Sequence, residues 1–185
     1  EGREKMQIAI MEKLPRDLKG MRILDAGCGT GVLSRMLDER GAEVVGVDIS
    51  DKLIDVAKNR STANKNIEYF AGDMKEQSFG NFDYIIAMDS LIHYSPEDTL
   101  SSIAEFSKRA NNAVVFTIIP STFVLRAKLR LGKCFPRSER SPEIVPIGWD
   151  NLRQLEVIKS NASLKKIARI KRFFYVSEAW EFAHK

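Results

Sequence analysis

LDAGCGTG, residues 24–31, is the stretch on which the reading of the whole chain turns. An apolar run, RILDA at 22–26, enters a turn carrying Gly27, Gly29 and Gly31, and helical spacing of Val32, Leu33, Met36 and Leu37 follows. A strand that ends in such a turn and opens a helix near Thr30 lets backbone approach a ligand where side chains would block it. The dinucleotide fingerprint G-x-G-x-x-G is not matched, because Val32 stands where the third glycine belongs and Gly31 comes one position early. Asp25, two residues before the first glycine, places negative charge where a pyrophosphate would be repelled and a cationic amino group attracted. The turn therefore suits a cationic nucleotide-type cofactor.

Outward from this turn two periodicities alternate. EVVGVD (43–48), IEYFAGD (67–73), FDYIIAMD (82–89) and AVVFTII (113–119) are short runs rich in Val, Ile and aromatics, the pattern of strands buried on both faces. Between them Leu53, Ile54 and Ala57, then Leu100, Ile103, Ala104 and Ser107, recur at helical spacing. Ser50 before DKLIDVAK, and Ser95-Pro96 followed by Glu97 and Asp98, are helix-entry signals. The series is βαβ, which predicts a parallel sheet with right-handed crossovers. Further on, FVLRAKLRL after Pro120-Ser121-Thr122 fits a helix or an alternating strand, and a helix is favoured. The proline-rich GKCFPRSERSPEIVPIG (132–148) reads as an irregular excursion of functional length. A helix over WDNLRQLEVIKS and strands near LKKIARIKR and YVSEAWEFA are expected to complete the sheet. The organisation expected is one domain over 1–185 with a substrate-side insertion at about 120–148.

Composition narrows the class. Hydrophobic residues at 44% and charged residues at 29% are ordinary for a globular chain, and no apolar run approaches the ~20 residues of a membrane span. The N-terminus, EGREKMQIAIMEKLP, alternates charge with apolar residues and lacks a signal-peptide core. The two cysteines, Cys28 and Cys134, have no CxxC spacing, so neither a disulfide framework nor a metal site is expected and a reducing cytoplasm fits best. A net charge of +4 does not argue for nucleic acid. The charge is uneven, however. Arg126, Lys128, Arg130, Lys133, Arg137 and Arg140 are opposed only by Glu139, which fits a solvated face, an anionic ligand or an anionic membrane surface.

Acidic residues recur at the predicted strand ends. Asp48, before Ile49 and 17 residues after Gly31, can accept both hydroxyls of a ribose. Asp73 is placed to accept from an adenine amino group, with Met74 against the ring. Met88 and Asp89 close the fourth run. Each acid alone is more often a cap or a turn residue. Their convergence on one sheet edge favours a binding site, since ligands bind at the carboxyl ends of parallel strands.

This set resembles the S-adenosylmethionine-dependent methyltransferases with a three-layer, Rossmann-like α/β fold: a seven-stranded, mostly parallel sheet with an antiparallel C-terminal hairpin. The resemblance implies that Asp25, Gly27 and Gly29 line the methionine moiety, Asp48 and Ile49 the ribose, Asp73 and Met74 the adenine, and Met88 and Asp89 the floor below the methyl donor. Over nearly its whole length the chain is also similar to the magnesium-protoporphyrin IX O-methyltransferases of chlorophyll and bacteriochlorophyll synthesis, on MDSLIHY (88–94), VVFTIIP, KCFPRSERSPEIVPI and FFYVSEAWEF. In that family S-adenosylmethionine esterifies one propionate of the magnesium porphyrin. The resemblance implies magnesium-protoporphyrin IX as substrate, a contact with the upstream chelatase or a membrane surface, and a cytoplasmic enzyme peripheral to photosynthetic membranes. It also implies an N-terminal arm bearing an aromatic residue near the acceptor, and this chain begins after that arm.

His93, in MDSLIHY, is the catalytic candidate, with Tyr94 beside it and Phe135, Arg137 and Arg140 as acceptor contacts. A propionic acid titrates near a Glu side chain, about 4.3, so at neutral pH the nucleophile is already ionised and needs no general base. His93 would orient the acceptor or ligate the porphyrin magnesium. A methyltransferase acting on a phenol, such as a quinone precursor, would need it as a base. A binding module without catalysis is the reading from a different class.

Overall fold

The computed structural model describes residues 1–121, 144–158, 162–172 and 175–184. In chain order the elements are α1 (Gly2–Lys13), β1 (Arg22–Ala26), α2 (Val32–Asp38), β2 (Glu43–Asp48), α3 (Asp51–Arg60), β3 (Ile67–Ala71), β4 (Phe82–Ala87), α4 (Pro96–Arg109), β5 (Ala110–Ile118), α5 (Trp149–Ile158), β6 (Ala162–Arg172) and β7 (Tyr175–His184). Short 3-10 turns cover Gln77–Phe79 and Leu91–His93.

The strands form one seven-stranded sheet in the order β3-β2-β1-β4-β5-β7-β6. β1 to β5 are parallel, and β7 pairs antiparallel with both β5 and β6. The chain moves outward from β1 through β2 to β3, then returns to place β4 on the other side of β1. That reversal opens a crevice at the carboxyl ends of β1 and β4.

Continuous apolar runs are explained by helices on both faces. Leu24, Val45, Ile85 and Val114 pack with α4 and α5 through Leu100, Ile103, Phe106, Leu152 and Leu155. Their chain neighbours Ile23, Val44, Ile86 and Val115 face the other way, against Met6, Ile10 and Met11 of α1 and Leu33 and Leu37 of α2. Phe82, Phe106 and Phe116 are fully buried, each worth about 2–3 kcal/mol of transfer free energy. On β7, the inner strand of the hairpin, the buried Glu178 carboxylate accepts from Lys166 Nζ at 3.1 Å and Trp180 Nε1 at 3.2 Å.

The caps fall where expected. Ser50 Oγ accepts from Leu53 N at 3.4 Å, and Ser95 Oγ accepts from Asp98 N at 3.0 Å with Pro96 opening α4. β3 departs from the expectation of burial on both faces: only Tyr69 is buried, because β3 is the edge strand. α2 starts at Val32, with Gly31 left-handed at its N-cap (φ 71°), and a Cβ on Gly31 would overlap the Tyr69 hydroxyl. β3, β4 and β5 end at Ala71, Ala87 and Ile118, one or two residues before the expected ends, freeing Asp73 and Asp89 for turns.

The helix expected over FVLRAKLRL lies outside the described residues, as does most of the excursion. Its returning end is tied down: Ile147 N donates to Ile119 O at 2.9 Å, Ser121 N to Ile147 O at 2.9 Å, and Val145 N to Ile92 O at 2.8 Å. Among the described residues no helix is long and apolar enough to cross a membrane.

Candidate active site

The crevice at the reversal is a cleft of about 740 Å³. Its first wall is the turn after β1. Gly27 N and Cys28 N donate to Val47 O at 2.7 and 3.0 Å, which folds the turn back over the end of β2. Gly27 has φ 80°, and a Cβ there would overlap Ser90, so the turn after β1 and the turn after β4 touch only because this residue is glycine. Gly29 faces open space: beyond its own chain neighbours, no atom lies within 4 Å of where its Cβ would stand.

Asp48 closes the second wall. Its Oδ2 accepts from Gly29 N at 2.9 Å and its Oδ1 from Ser50 N at 2.9 Å, so the carboxylate is fixed by two backbone amides while lining the cleft. Ile49, 81% exposed, and Leu53 present apolar surface to the same space. From the β3 side, Asp73 Oδ1 accepts from Lys75 N at 2.9 Å, and Met74 lines the cleft from the edge of the core.

The floor is the turn after β4. Asp89 stands there with φ 54°. Its amide donates to Thr117 Oγ1 at 2.7 Å, and its carboxylate accepts from Arg3 Nε at 3.1 Å and from the Tyr175 hydroxyl at 3.1 and 3.2 Å. Burial, with the Asp89 charge beside it, pushes the Tyr175 phenol well above its ordinary range, so it stays a donor. Ser90, His93 and Tyr94 follow, with His93 exposed at the lip and Tyr94 half-buried against the α4 and α5 side of the core.

Gly27, Gly29, Asp48, Ile49, Asp73, Met74, Met88, Asp89, His93 and Tyr94 are thus brought to one cleft. Asp25 is not with them. It sits beneath the turn, 2% exposed, on an adjoining cavity of about 80 Å³ that shares Arg3, Gly27, Gly29, Thr30 and Met88 with the cleft, and Ser34 Oγ donates to its Oδ2 at 2.6 Å. Burial raises its carboxyl to about 6, so the fixed negative charge expected at the turn is instead a buried group that titrates near neutrality. The same burial pushes the Cys28 thiol up, with Asp25 and Asp48 adding to the effect, which disfavours the thiolate. Phe135, Arg137 and Arg140 lie outside the described residues.

Several lining residues were not foreseen: Arg3, Thr30, Leu53 and Lys75. Leu53 and Lys75 adjoin the acidic strand ends and were within reach of the motif reading. Arg3, on α1, carries no local signal. Among the described residues no group of three or more His, Cys, Asp or Glu is arranged to hold a metal ion.

A family model described as the C-terminus of magnesium-protoporphyrin IX methyltransferase matches residues 87–184, and a methyltransferase-domain model matches residues 23–111. The chain is 45% identical over 184 residues to the magnesium-protoporphyrin O-methyltransferase of Rhodobacter capsulatus, covering 98% of this chain and 80% of that protein. It belongs to the magnesium-protoporphyrin O-methyltransferase family. The fold agrees with that of a family structure, the magnesium protoporphyrin IX methyltransferase of Synechocystis PCC 6803 with bound SAH, at TM-score 0.82 and 24% identity, covering 99% of this chain and 82% of that one. A ubiquinone biosynthesis O-methyltransferase of Coxiella burnetii is 39% identical over 105 residues, covering 55% of this chain and 45% of that protein. The two family models overlap over residues 87–111, from the last residue of β4 through the turn that carries Asp89, Ser90 and His93 and on through α4.

Proposed function

We propose that this chain transfers a methyl group from S-adenosylmethionine to a propionate carboxylate of magnesium-protoporphyrin IX, giving the monomethyl ester. The observation that carries the reading is the cleft itself, in which the glycine turn, Asp48, Met74 and the 88–94 turn meet in a chain of this family.

The residues fit a nucleoside cofactor. Open space at Gly29 admits backbone contact, the amide-fixed Asp48 carboxylate retains lone pairs for a diol, and Ile49, Leu53 and Met74 supply apolar walls for a base. When bound, S-adenosylmethionine would supply the methyl group: a bond from carboxylate oxygen to methyl carbon would form as the carbon–sulfur bond breaks, with S-adenosylhomocysteine as the leaving group. The chain has no proton to remove from such an acceptor at neutral pH, since a propionate titrates at about 4.3. Its task is to hold the acceptor in line and keep water off the nucleophile. On this reading His93, exposed at the lip, orients the acceptor, and Tyr94 borders it. Arg137, Arg140 and Phe135 are assigned to the second propionate and the macrocycle face. On this proposal the enzyme works in the cytoplasm, peripheral to photosynthetic membranes and touching the upstream chelatase or the membrane surface; the basic stretch from Arg126 to Arg140 fits an anionic membrane surface.

Titrating magnesium-protoporphyrin IX into the protein in the presence of S-adenosylhomocysteine tests this. Saturable binding together with ester formation from S-adenosylmethionine is expected; absence of both overturns it. The Coxiella burnetii relative favours a second reading, a phenolic quinone precursor as acceptor. A phenol titrates at about 10 and needs a base, so activity would fall as pH drops through the histidine range near 6.5. A carboxylate acceptor gives a flat profile there.

A further inference from the structure

Asp89 is the one non-glycine residue with a positive φ among the described residues, and it sits where the floor of the cleft begins. A left-handed aspartate is disfavoured unless its surroundings hold it. Three elements do so. From β5, Thr117 Oγ1 accepts the Asp89 amide at 2.7 Å and donates to Oδ1 at 3.2 Å. From α1, Arg3 Nε reaches Oδ2 at 3.1 Å. From β7, the Tyr175 hydroxyl spans both carboxylate oxygens at 3.1 and 3.2 Å.

Tyr175 does not line the cleft, and its link to the site runs through Asp89. Its ring is locked in place: a Cβ on Gly2 would come within 2.8 Å of Cδ1, so the first turn of α1 closes directly onto the ring. Arg3, by contrast, is 69% exposed along its side chain, against 4% for Asp89. Water competes for the Arg3 contact, whereas the tyrosine contact is sheltered and spans both oxygens.

We propose that Tyr175 is a positioning residue for methyl transfer: through Asp89 it sets the turn that presents Ser90, His93 and Tyr94 to the cleft. The inference rests on the function proposed above. Without the hydroxyl, Asp89 keeps Thr117 and a solvent-exposed Arg3, and its backbone is free to relax towards negative φ. Ser90 then moves off Gly27, and His93 leaves its place at the lip.

The test compares Tyr175→Phe, which keeps the ring against Gly2, in the wild-type background and in Asp89→Gly, where glycine accepts the left-handed conformation and offers no carboxylate. In the wild-type background kcat is expected to fall about tenfold with S-adenosylhomocysteine affinity within about threefold. Amide exchange at residues 89–94 should speed up about tenfold, with the amides of β1 and β5 unchanged. In the Asp89→Gly background the tyrosine substitution should add nothing. Unchanged kcat and exchange in Tyr175→Phe would overturn the proposal, as would an equal loss in both backgrounds or exchange rising across the whole sheet. If the unsubstituted protein binds S-adenosylhomocysteine yet does not methylate the porphyrin, the proposed function fails, and the exchange comparison still decides the role of Tyr175.

Discussion

Asp48 and Gly29 join the ends of the first two strands: the Asp48 carboxylate accepts the Gly29 amide at 2.9 Å, across 19 positions of sequence. The bond holds the glycine turn open towards the cleft and aims the other face of the carboxylate at whatever enters. Asp48→Ala therefore removes a ligand contact and a loop anchor together. S-adenosylhomocysteine binding should weaken by about 1.5–3 kcal/mol, the scale of hydrogen bonds to a charged group. Calorimetric titration measures it, and unchanged affinity would take Asp48 out of the site.

The glycines of the same turn separate two requirements. Gly27→Ala would drive a Cβ into Ser90 at φ 80°, whereas Gly29→Ala meets nothing and suffers only from its φ of 56°. The first should lower the melting temperature and abolish cofactor binding. The second should cost about 1–2 kcal/mol of stability, the penalty for a left-handed alanine. Thermal melts of both variants decide the ranking.

His93→Ala tests the lip. S-adenosylhomocysteine affinity should stay within a few fold while methyl transfer falls about a hundredfold, because a positioning contact to the acceptor is lost and the cofactor walls remain. Loss of cofactor binding in this variant would assign His93 to the cofactor side.

Asp25 predicts a pH dependence. Its carboxyl is raised from 3.8 to about 6 by burial, so between those values the folded protein holds a proton that the unfolded chain has released. Stability contributed at low pH is lost as pH rises through that window, on the order of 3 kcal/mol in total. Asp25→Asn does not ionise and escapes the loss. Its melting temperature relative to the unsubstituted protein should climb between pH 4 and pH 7, then level off; a flat difference would contradict the burial effect.

The features legible in the sequence were those written locally. Strand pairs such as Ile23-Leu24 and Val44-Val45 send neighbours to opposite faces, so apolar runs announced a sheet covered on both sides. Ser50 and Ser95 marked helix starts through bonds three residues long. Ile49 is legible as a site residue through its neighbour Asp48, whereas Leu53 reads as an ordinary helix residue, yet both stand exposed to line the cleft. Arg3 and Tyr175 each reach Asp89 from 86 positions away, on opposite sides of it in sequence, and no motif spans such a distance. The depth of Asp25 was not legible either: it lies under the glycine turn, where Ser34 Oγ donates to its carboxylate.

The position of β7 between β5 and β6 has a consequence for how the protein is made. As a chain leaves the ribosome, β1 to β5 can pair in turn, since each parallel neighbour is already present or follows within one crossover. The glycine turn and Asp48 can therefore come together early. The turn at Asp89 cannot acquire its tyrosine partner until residue 175 has been synthesised and β7 has paired alongside β5. A nascent chain is thus able to present a cofactor cradle before its acceptor floor is set. Cofactor captured at that stage would act as a folding template, stabilising the early strands while the last hairpin is still arriving.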